Sequence, residues 1–214
     1  MKLRHILFII GLTGPTAVQA QGLSIVGGTT AVKLTSAPLV AGAGTAVAPL
    51  GTALLSPGSD QIPIAYFPVT GGSIDTASFA GGIAHVGSGL SLTRLGTTVE
   101  LENFFINTVT LKLLGDVSVG ATTIDDVELF NIGFSPTVSV YPFTLQLTAG
   151  AAAALTTFLG LPNLTGAEIG IANTIPITAA VPEPSTYLMM LAGLGLVALL
   201  ARKRRGLGGG ASAA

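Results

Sequence analysis

The sequence predicts an all-β chain, with a single β-sandwich-like domain over residues 21–180, one or two short helices and an apolar segment at each end. Three observations lead to this prediction. Apolar and polar residues alternate in short runs, the runs are separated by Gly, Pro, Ser and Asn, and charged residues make up only 9% of the 214 residues. Period-two alternation is typical of strands with one buried face, and short runs at this spacing are typical of sandwiches.

The alternation is clearest in the second half of the domain. Half-buried strands are predicted where apolar residues occupy every second position, namely around Val99-Leu101-Phe105, Val109-Leu111-Leu113, Val138-Val140-Phe143 and Leu145-Leu147. One stretch favours a helix instead, over residues 149–160. Thr148 is a suitable N-cap for it, an alanine run follows, and Gly160 is expected to end it.

The first twenty residues predict a secretory signal peptide. Lys2 and Arg4 precede a short apolar stretch, a Gly-Pro break follows, and Val18 and Ala20 supply the small residues that a signal peptidase accepts. We expect cleavage between Ala20 and Gln21. A buried N-terminal helix is the alternative, which the basic start and the proline disfavour.

The other end, residues 181–205, combines three features in order. Pro182-Glu183-Pro184 keeps the backbone extended and accessible, because proline lacks an amide donor and resists helix and central strand. An apolar run from Tyr187 to Ala201 follows and predicts a C-terminal transmembrane helix. A helix from Thr186 would rise about 24 Å, enough for a thin membrane. The basic cluster Arg202-Lys203-Arg204-Arg205 is expected to stay in the cytoplasm. Residues 206–214, rich in Gly and Ala, are predicted to be a disordered tail.

This tail resembles a PEP-CTERM sorting signal, the substrate signal of exosortases in Gram-negative bacteria. The resemblance implies retention at the inner membrane with the body in the periplasm, recognition at Pro182-Glu183-Pro184, and release to the cell surface or exopolysaccharide. An ordinary single-span anchor is the alternative. The partners expected are signal peptidase, an exosortase-like enzyme, the inner membrane and exopolysaccharide.

The body carries a weaker resemblance. Residues 66–75 and 81–92 have a strand, Gly-turn, strand layout that resembles the opening of secreted HtaA-type domains, some of which bind haem. His85 is the only histidine after the predicted signal peptide. It is therefore a candidate ligand, with haem as the cofactor that the resemblance suggests, while a strand histidine bonded to its neighbours is the alternative. Tyr66 and Tyr141 are further candidates.

Charge and cysteine content exclude several functions. The formal net charge is −1, but six of the nine basic residues lie in the terminal segments, so residues 21–180 hold three basic and nine acidic residues. This balance disfavours nucleic acid as a partner. There is no cysteine, hence no disulfide, thiolate metal site or thiol nucleophile.

No catalytic motif is predicted. Ser88 lies in Gly-Ser-Gly without the spacing of a nucleophile elbow, and Glu100 and Glu102 share one strand face rather than facing each other across a cleft. Asp125-Asp126 and Glu128 lack the spacing of a calcium loop and indicate a solvated face, so no metal site is expected.

We therefore expect an exported, exosortase-processed protein of the surface or of the extracellular, biofilm-associated matrix, without enzymatic activity and without a resident cofactor. The second hypothesis is a secreted module that binds haem or carbohydrate through His85.

Overall fold

A computed structural model describes residues 22–36, 44–136, 139–179 and 189–197 of the chain. The chain divides into two compact units, the first ending at Thr178 and the second beginning at Ala179. The described residues of the first unit form eleven strands and one helix, namely β1 (Leu23–Lys33), β2 (Ala46–Gly51), β3 (Leu54–Pro57), β4 (Pro63–Pro68), β5 (Gly71–Ile74), β6 (Gly81–Arg94), β7 (Thr97–Asn107), β8 (Lys112–Val119), β9 (Thr122–Phe134), β10 (Phe143–Leu147), α1 (Ala149–Leu159) and β11 (Glu168–Thr178).

All strands belong to one antiparallel sheet, and this sheet closes on itself. Following the hydrogen bonds from β1 leads to β5, then in order through β6, β7, β8, β9, β10 and β11, and back to β1. The first and last strands pair over a long stretch, with Thr30 opposite Thr174. The other strands extend this circuit, since β4 pairs with β1 and with β3, and β2 pairs with β6.

Bulges bend the long strands so that the circuit can close. The register shifts between His85 and Gly89 in β6, between Glu102 and Phe105 in β7, and between Gly115 and Val117 in β8. These shifts lie side by side on neighbouring strands. Each bulge adds local twist and bend, which a closed sheet requires.

The all-β class is confirmed, but the sheet is single and closed, whereas a sandwich has two separate sheets. The difference arises because β1 and β11 bury each other's edges. Burying these edges leaves neither strand free to stack as part of a second sheet. The buried side chains form one cluster, which includes Phe67, Phe104 and Leu145.

The predicted helix is confirmed nearly to the residue. Thr148 is extended, and its hydroxyl accepts a hydrogen bond from the Ala151 amide at 3.2 Å. Gly160 follows the helix in the left-handed region at φ 59°, a conformation that favours glycine. Leu155 and Leu159 are buried.

Two of the predicted strands were wrong in their limits, those around Val109-Leu111-Leu113 and Val138-Val140-Phe143, and a third was wrong in which aromatic residue is buried. Val109 and Leu111 lie in a turn and are exposed, because β8 begins only at Lys112. The buried aromatic residue in β7 is Phe104 rather than Phe105, because the bulge there shifts the alternation by one position. Val140 lies outside a strand, and Val138 lies outside the described residues.

In the second unit, residues 189–197 are helical and exposed. Across the described parts of the chain, no helix is long and apolar enough to cross a membrane. The following predicted features lie outside the described residues: the signal peptide with its Ala20/Gln21 cleavage point, the Pro182-Glu183-Pro184 motif, Tyr187, Ala201, the basic cluster of residues 202–205 and the tail 206–214.

Candidate functional site

His85 lies at the centre of the closed sheet. It is 1% exposed and is held by the part of β6 that precedes the bulge. Its Nε2 lies 2.7 Å from the hydroxyl of Thr30 on β1, and that hydroxyl lies 3.0 Å from the hydroxyl of Thr174 on β11. A chain of three polar side chains therefore connects β6 to the two strands that close the sheet.

Aromatic rings surround this polar chain. The ring of Phe67 meets that of Phe104 edge to face, with centroids 5.1 Å apart, and it also lies edge to face with His85 at 6.5 Å. Burial lowers the pKa of His85 to about 4, although the main chain of Phe104 opposes this by favouring the protonated ring. The imidazole is therefore neutral at physiological pH.

The second ring nitrogen of His85 is not satisfied. Nδ1 is buried and has no hydrogen-bond partner among the described residues. His85 lines a central cavity of about 60 Å³, together with Thr30, Phe67 and Phe104. A cavity of this size holds water-sized molecules only.

A larger cavity, of about 460 Å³, lies on the helix side of the central layer. We call it the helix-end cavity. One wall is α1, which contributes Ala151, Ala154, Leu155 and Phe158. Most of the rest comes from β6 to β9, and Leu34, Val47, Leu147 and Ile169 complete the lining. The small residues of α1 leave this space open between the helix and the strands.

A third cavity, of about 520 Å³, lies at the opposite end of the closed sheet. We call it the loop-end cavity, since Phe79 of the β5–β6 loop and Leu111 of the β7–β8 turn line it. Phe134 at the end of β9 and Pro176 near the end of β11 also contribute. The central cavity shares wall residues with both larger cavities, so the three form one row through the sheet.

The row of cavities is almost entirely apolar. None of the described residues that line it is charged, and the helix-end cavity has Thr122 as its one polar side chain. The loop-end cavity adds hydroxyls, including those of Thr108 and Thr174, but these already bond within the protein. The interior is therefore built to surround neutral carbon-rich groups.

The other predicted site residues lie elsewhere. Tyr66 and Tyr141 line none of the three cavities. The hydroxyl of Ser88 donates to the main-chain carbonyl of His85 at 3.1 Å. Because this hydrogen bond goes to the carbonyl and not to the imidazole ring, it does not pair Ser88 with His85 as a nucleophile and its base.

The acidic residues are on the outside. Asp125, Asp126 and Glu128 are exposed, and Glu128 pairs with Lys112. No group of three metal-binding side chains occurs within the described parts of the chain. The expected solvated face agrees with this arrangement.

His85 was predicted from the sequence, but the row of cavities was not. Their walls come from ten strands and a helix that are distant in sequence, and most wall residues are ordinary core residues by type. The one feature of the sequence that could have indicated cavities is its large share of small and β-branched residues, because these side chains fill the interior of a closed sheet incompletely.

Comparison with solved structures relates this closed sheet to a known fold. The chain is similar to the C-terminal domain of HtaA from Corynebacterium glutamicum, with 14% identity, a TM-score of 0.51, and coverage of 73% of this chain and 99% of that domain. The N-terminal domain of HtaA gives 13% identity and a TM-score of 0.50, with coverage of 72% and 99%. The heme binding protein HtaB of the same organism gives 13% identity and a TM-score of 0.42, with coverage of 75% and 100%.

The sequence comparison concerns the other end of the chain. Residues 180–205 match the PEP-CTERM protein-sorting motif, so the predicted sorting signal is confirmed. The motif implies an exported protein that exosortase processes. No curated protein sequence matches the chain.

Proposed function

We propose that the chain is an exported, exosortase-processed protein of the cell surface or extracellular matrix, without enzymatic activity, whose closed sheet binds a neutral apolar ligand. One observation carries the ligand-binding part. Two cavities of about 460 and 520 Å³ lie inside the sheet, and no described residue that lines them is charged. Both volumes fall in the range of small-molecule sites, roughly 300–1,000 Å³.

The absence of charge in the lining defines the ligand class. A charged group moved into this interior would lose its hydration and find no partner ion, at a cost of several kcal/mol or more. An apolar chain or ring system has no such desolvation cost, and removing its surface from water favours binding. A carbohydrate is disfavoured, because its hydroxyls need more hydrogen-bonding groups than these walls offer.

Haem is the ligand that the resemblance to HtaA-type domains suggests, but the residues present do not fit it. Iron needs an axial ligand, usually His, Cys, Met or Tyr. None of these residue types is among the described residues that line either large cavity. His85 reaches only the central cavity of about 60 Å³, which cannot hold a macrocycle.

Binding is tested with a neutral, environment-sensitive dye such as Nile red. We expect saturable fluorescence enhancement with purified protein, and displacement by neutral long-chain lipids but not by oligosaccharides. In parallel, haem is added to wild type and to His85→Ala. We expect no Soret shift that depends on His85. A shift that is present in wild type and lost in His85→Ala would identify haem as the ligand and contradict the apolar-ligand proposal.

Sorting is tested separately at Pro182-Glu183-Pro184. The motif supports retention at the inner membrane and later release, and proline disfavours helix formation at the processing site. Replacing the three residues by alanine is expected to leave export intact and stop processing in an exosortase-bearing host. Immunoblots of membrane and medium fractions measure this. Equal release of a shortened form from both variants would leave a plain membrane anchor.

A further inference from the structure

We infer that the loop end of the closed sheet docks on a lipid surface. The surface consists of Phe79, Val109, Leu111 and Phe134, which surround the loop-end cavity or lie beside it. Their exposed fractions are 68%, 67%, 37% and 67%. Phe79, Leu111 and Phe134 also line the cavity, so its wall continues into this exposed apolar rim.

Hydrogen bonds hold these apolar side chains in place. In the β5–β6 loop, Asp75 accepts from the amides of Ala77 and Ser78 at 3.0 and 2.7 Å. The hydroxyl of Thr108, in the β7–β8 turn, donates to the carbonyl of Phe79 at 2.7 Å and so ties the two segments together. The loops therefore present their apolar side chains in a fixed arrangement.

The conformation of Phe79 supports the same conclusion. Its φ is 56°, in the left-handed region that bulky residues rarely adopt. Strain of this kind is retained where the surroundings impose it, and here it leaves the ring exposed. Asp75 is the only charged residue among residues 75–80 and 107–111, and hydrogen bonds from Ser78 hold the pKa of its carboxyl below its usual value.

The position of the chain ends identifies the occupant as lipid. Both ends of the first unit lie at the loop end, since Leu23 pairs with Ile74 and Ile25 pairs with Thr178. The PEP-CTERM motif begins at residue 180, two residues after β11 ends. This motif implies a membrane-anchored protein, so the strand that ends at the loop end leads directly into the sorting segment. A bilayer is thus within reach of this end.

Vesicle binding by residues 22–179 tests the inference. This segment contains every strand of the described sheet and its buried core, so it folds without the tail. The vesicles are zwitterionic phosphatidylcholine, because residues 75–80 and 107–111 contain no cationic side chain and the adjacent Lys112 is paired with Glu128. We expect flotation with the vesicles that is insensitive to 0.5 M salt. Binding lost in salt, or no binding, would overturn the inference.

Paired variants locate the contact. Phe79→Ser with Phe134→Ser is expected to reduce the bound fraction at least tenfold. Leu54→Ser with Leu95→Ser removes two apolar residues elsewhere that are at least as exposed, within about one per cent, and is expected to leave binding unchanged. Equal losses in both pairs would overturn the inference. A dimer that disappears in the first pair, without vesicle binding, would assign the surface to a second copy of the chain instead.

A second readout does not depend on removing apolar contacts. The chain contains no tryptophan, so Val109→Trp and Leu95→Trp each place one reporter on an exposed turn. Vesicles are expected to shift the emission of Val109→Trp to shorter wavelength and to leave that of Leu95→Trp unchanged. Equal shifts, or none at the loop end, would contradict docking at this surface.

Discussion

The two ends of the closed sheet bury similar volumes of apolar space but border it differently. At the helix end, α1 forms a wall, and its residues Leu155 and Leu159 are buried. At the loop end, Phe79 and Phe134 are exposed at the rim of the cavity. Similar interiors therefore meet different surroundings. A helix covers one end, with Ile124 and Phe158 also exposed beside it, whereas loops border the apolar rim of the other. We attribute the difference to function, because an exposed apolar rim contributes little to folding.

The largest difference is expected in stability. Leu159→Ala removes a side chain that is 1% exposed, and we expect a loss of about 2–5 kcal/mol in the free energy of unfolding. Leu111→Ala at the loop end should cost less than about 0.5 kcal/mol. Urea denaturation of residues 22–179 measures both. Similar losses would mean that the loop end belongs to the core.

The layer between the two ends is expected to depend on pH. His85 has a pKa of about 4 in the folded protein against an ordinary value near 6.5. The unfolded chain therefore takes up a proton first, and stability falls as the pH drops from 6.5 towards 4. The full effect is about 3 kcal/mol. Urea denaturation at a series of pH values measures it, and His85→Leu should abolish the decline within this window. An unchanged pH profile in the variant would assign the effect to other groups.

Filling the helix-end cavity should show which of the two large cavities binds the dye. Ala154→Phe places a ring in this space, and we expect about tenfold weaker Nile red binding there, about 1.4 kcal/mol. Ala153→Phe is the matched control, because Ala153 is exposed on the same helix and lines no cavity. Fluorescence titration measures both. Equal affinities would place the ligand at the loop end alone.

The smallest effect concerns how the helix is held. The guanidinium of Arg94 donates to the carbonyls of Leu159 and Gly160 at the C-terminus of α1. Arg94→Met is expected to cost about 1 kcal/mol and to speed amide exchange in the last turn. The exposed ion pair of Lys112 gives a control, since Lys112→Met should change stability by less than about 0.5 kcal/mol. Hydrogen exchange followed by mass spectrometry would detect fraying of α1, and equal exchange in wild type and Arg94→Met would contradict this role.

Local structure was the part that the sequence predicted well. The helix is encoded by neighbours, with Thr148 and Gly160 as its caps, and Leu145 and Leu147 alternate as a strand should. Alternation failed to predict the buried face of β7 beyond its bulge, because one extra residue near Asn103 moved the buried position from Phe105 to Phe104. Periodicity assumes a constant repeat, and a bulge breaks it without a distinctive residue type.

The site depended on pairing that sequence patterns do not show. His85 was a candidate because of its residue type, but its partner Thr30 is 55 positions away. Thr30 in turn bonds to Thr174 because β1 pairs with β11. The cavities arise from the same closure. The sorting tail, by contrast, is a linear signal, so its residues could be read directly.

The pairing of β1 with β11 also sets an order of events during export. The circuit cannot close until residues 171–178 have been exported, because the last strand completes the contacts of the first. Contacts between such distant residues form slowly. The sorting motif begins two residues later, so it reaches the far side of the membrane almost together with the strand that finishes the domain. A chain that stalls before this point leaves the edges of both strands unpaired, and such unpaired edges favour aggregation with neighbouring chains.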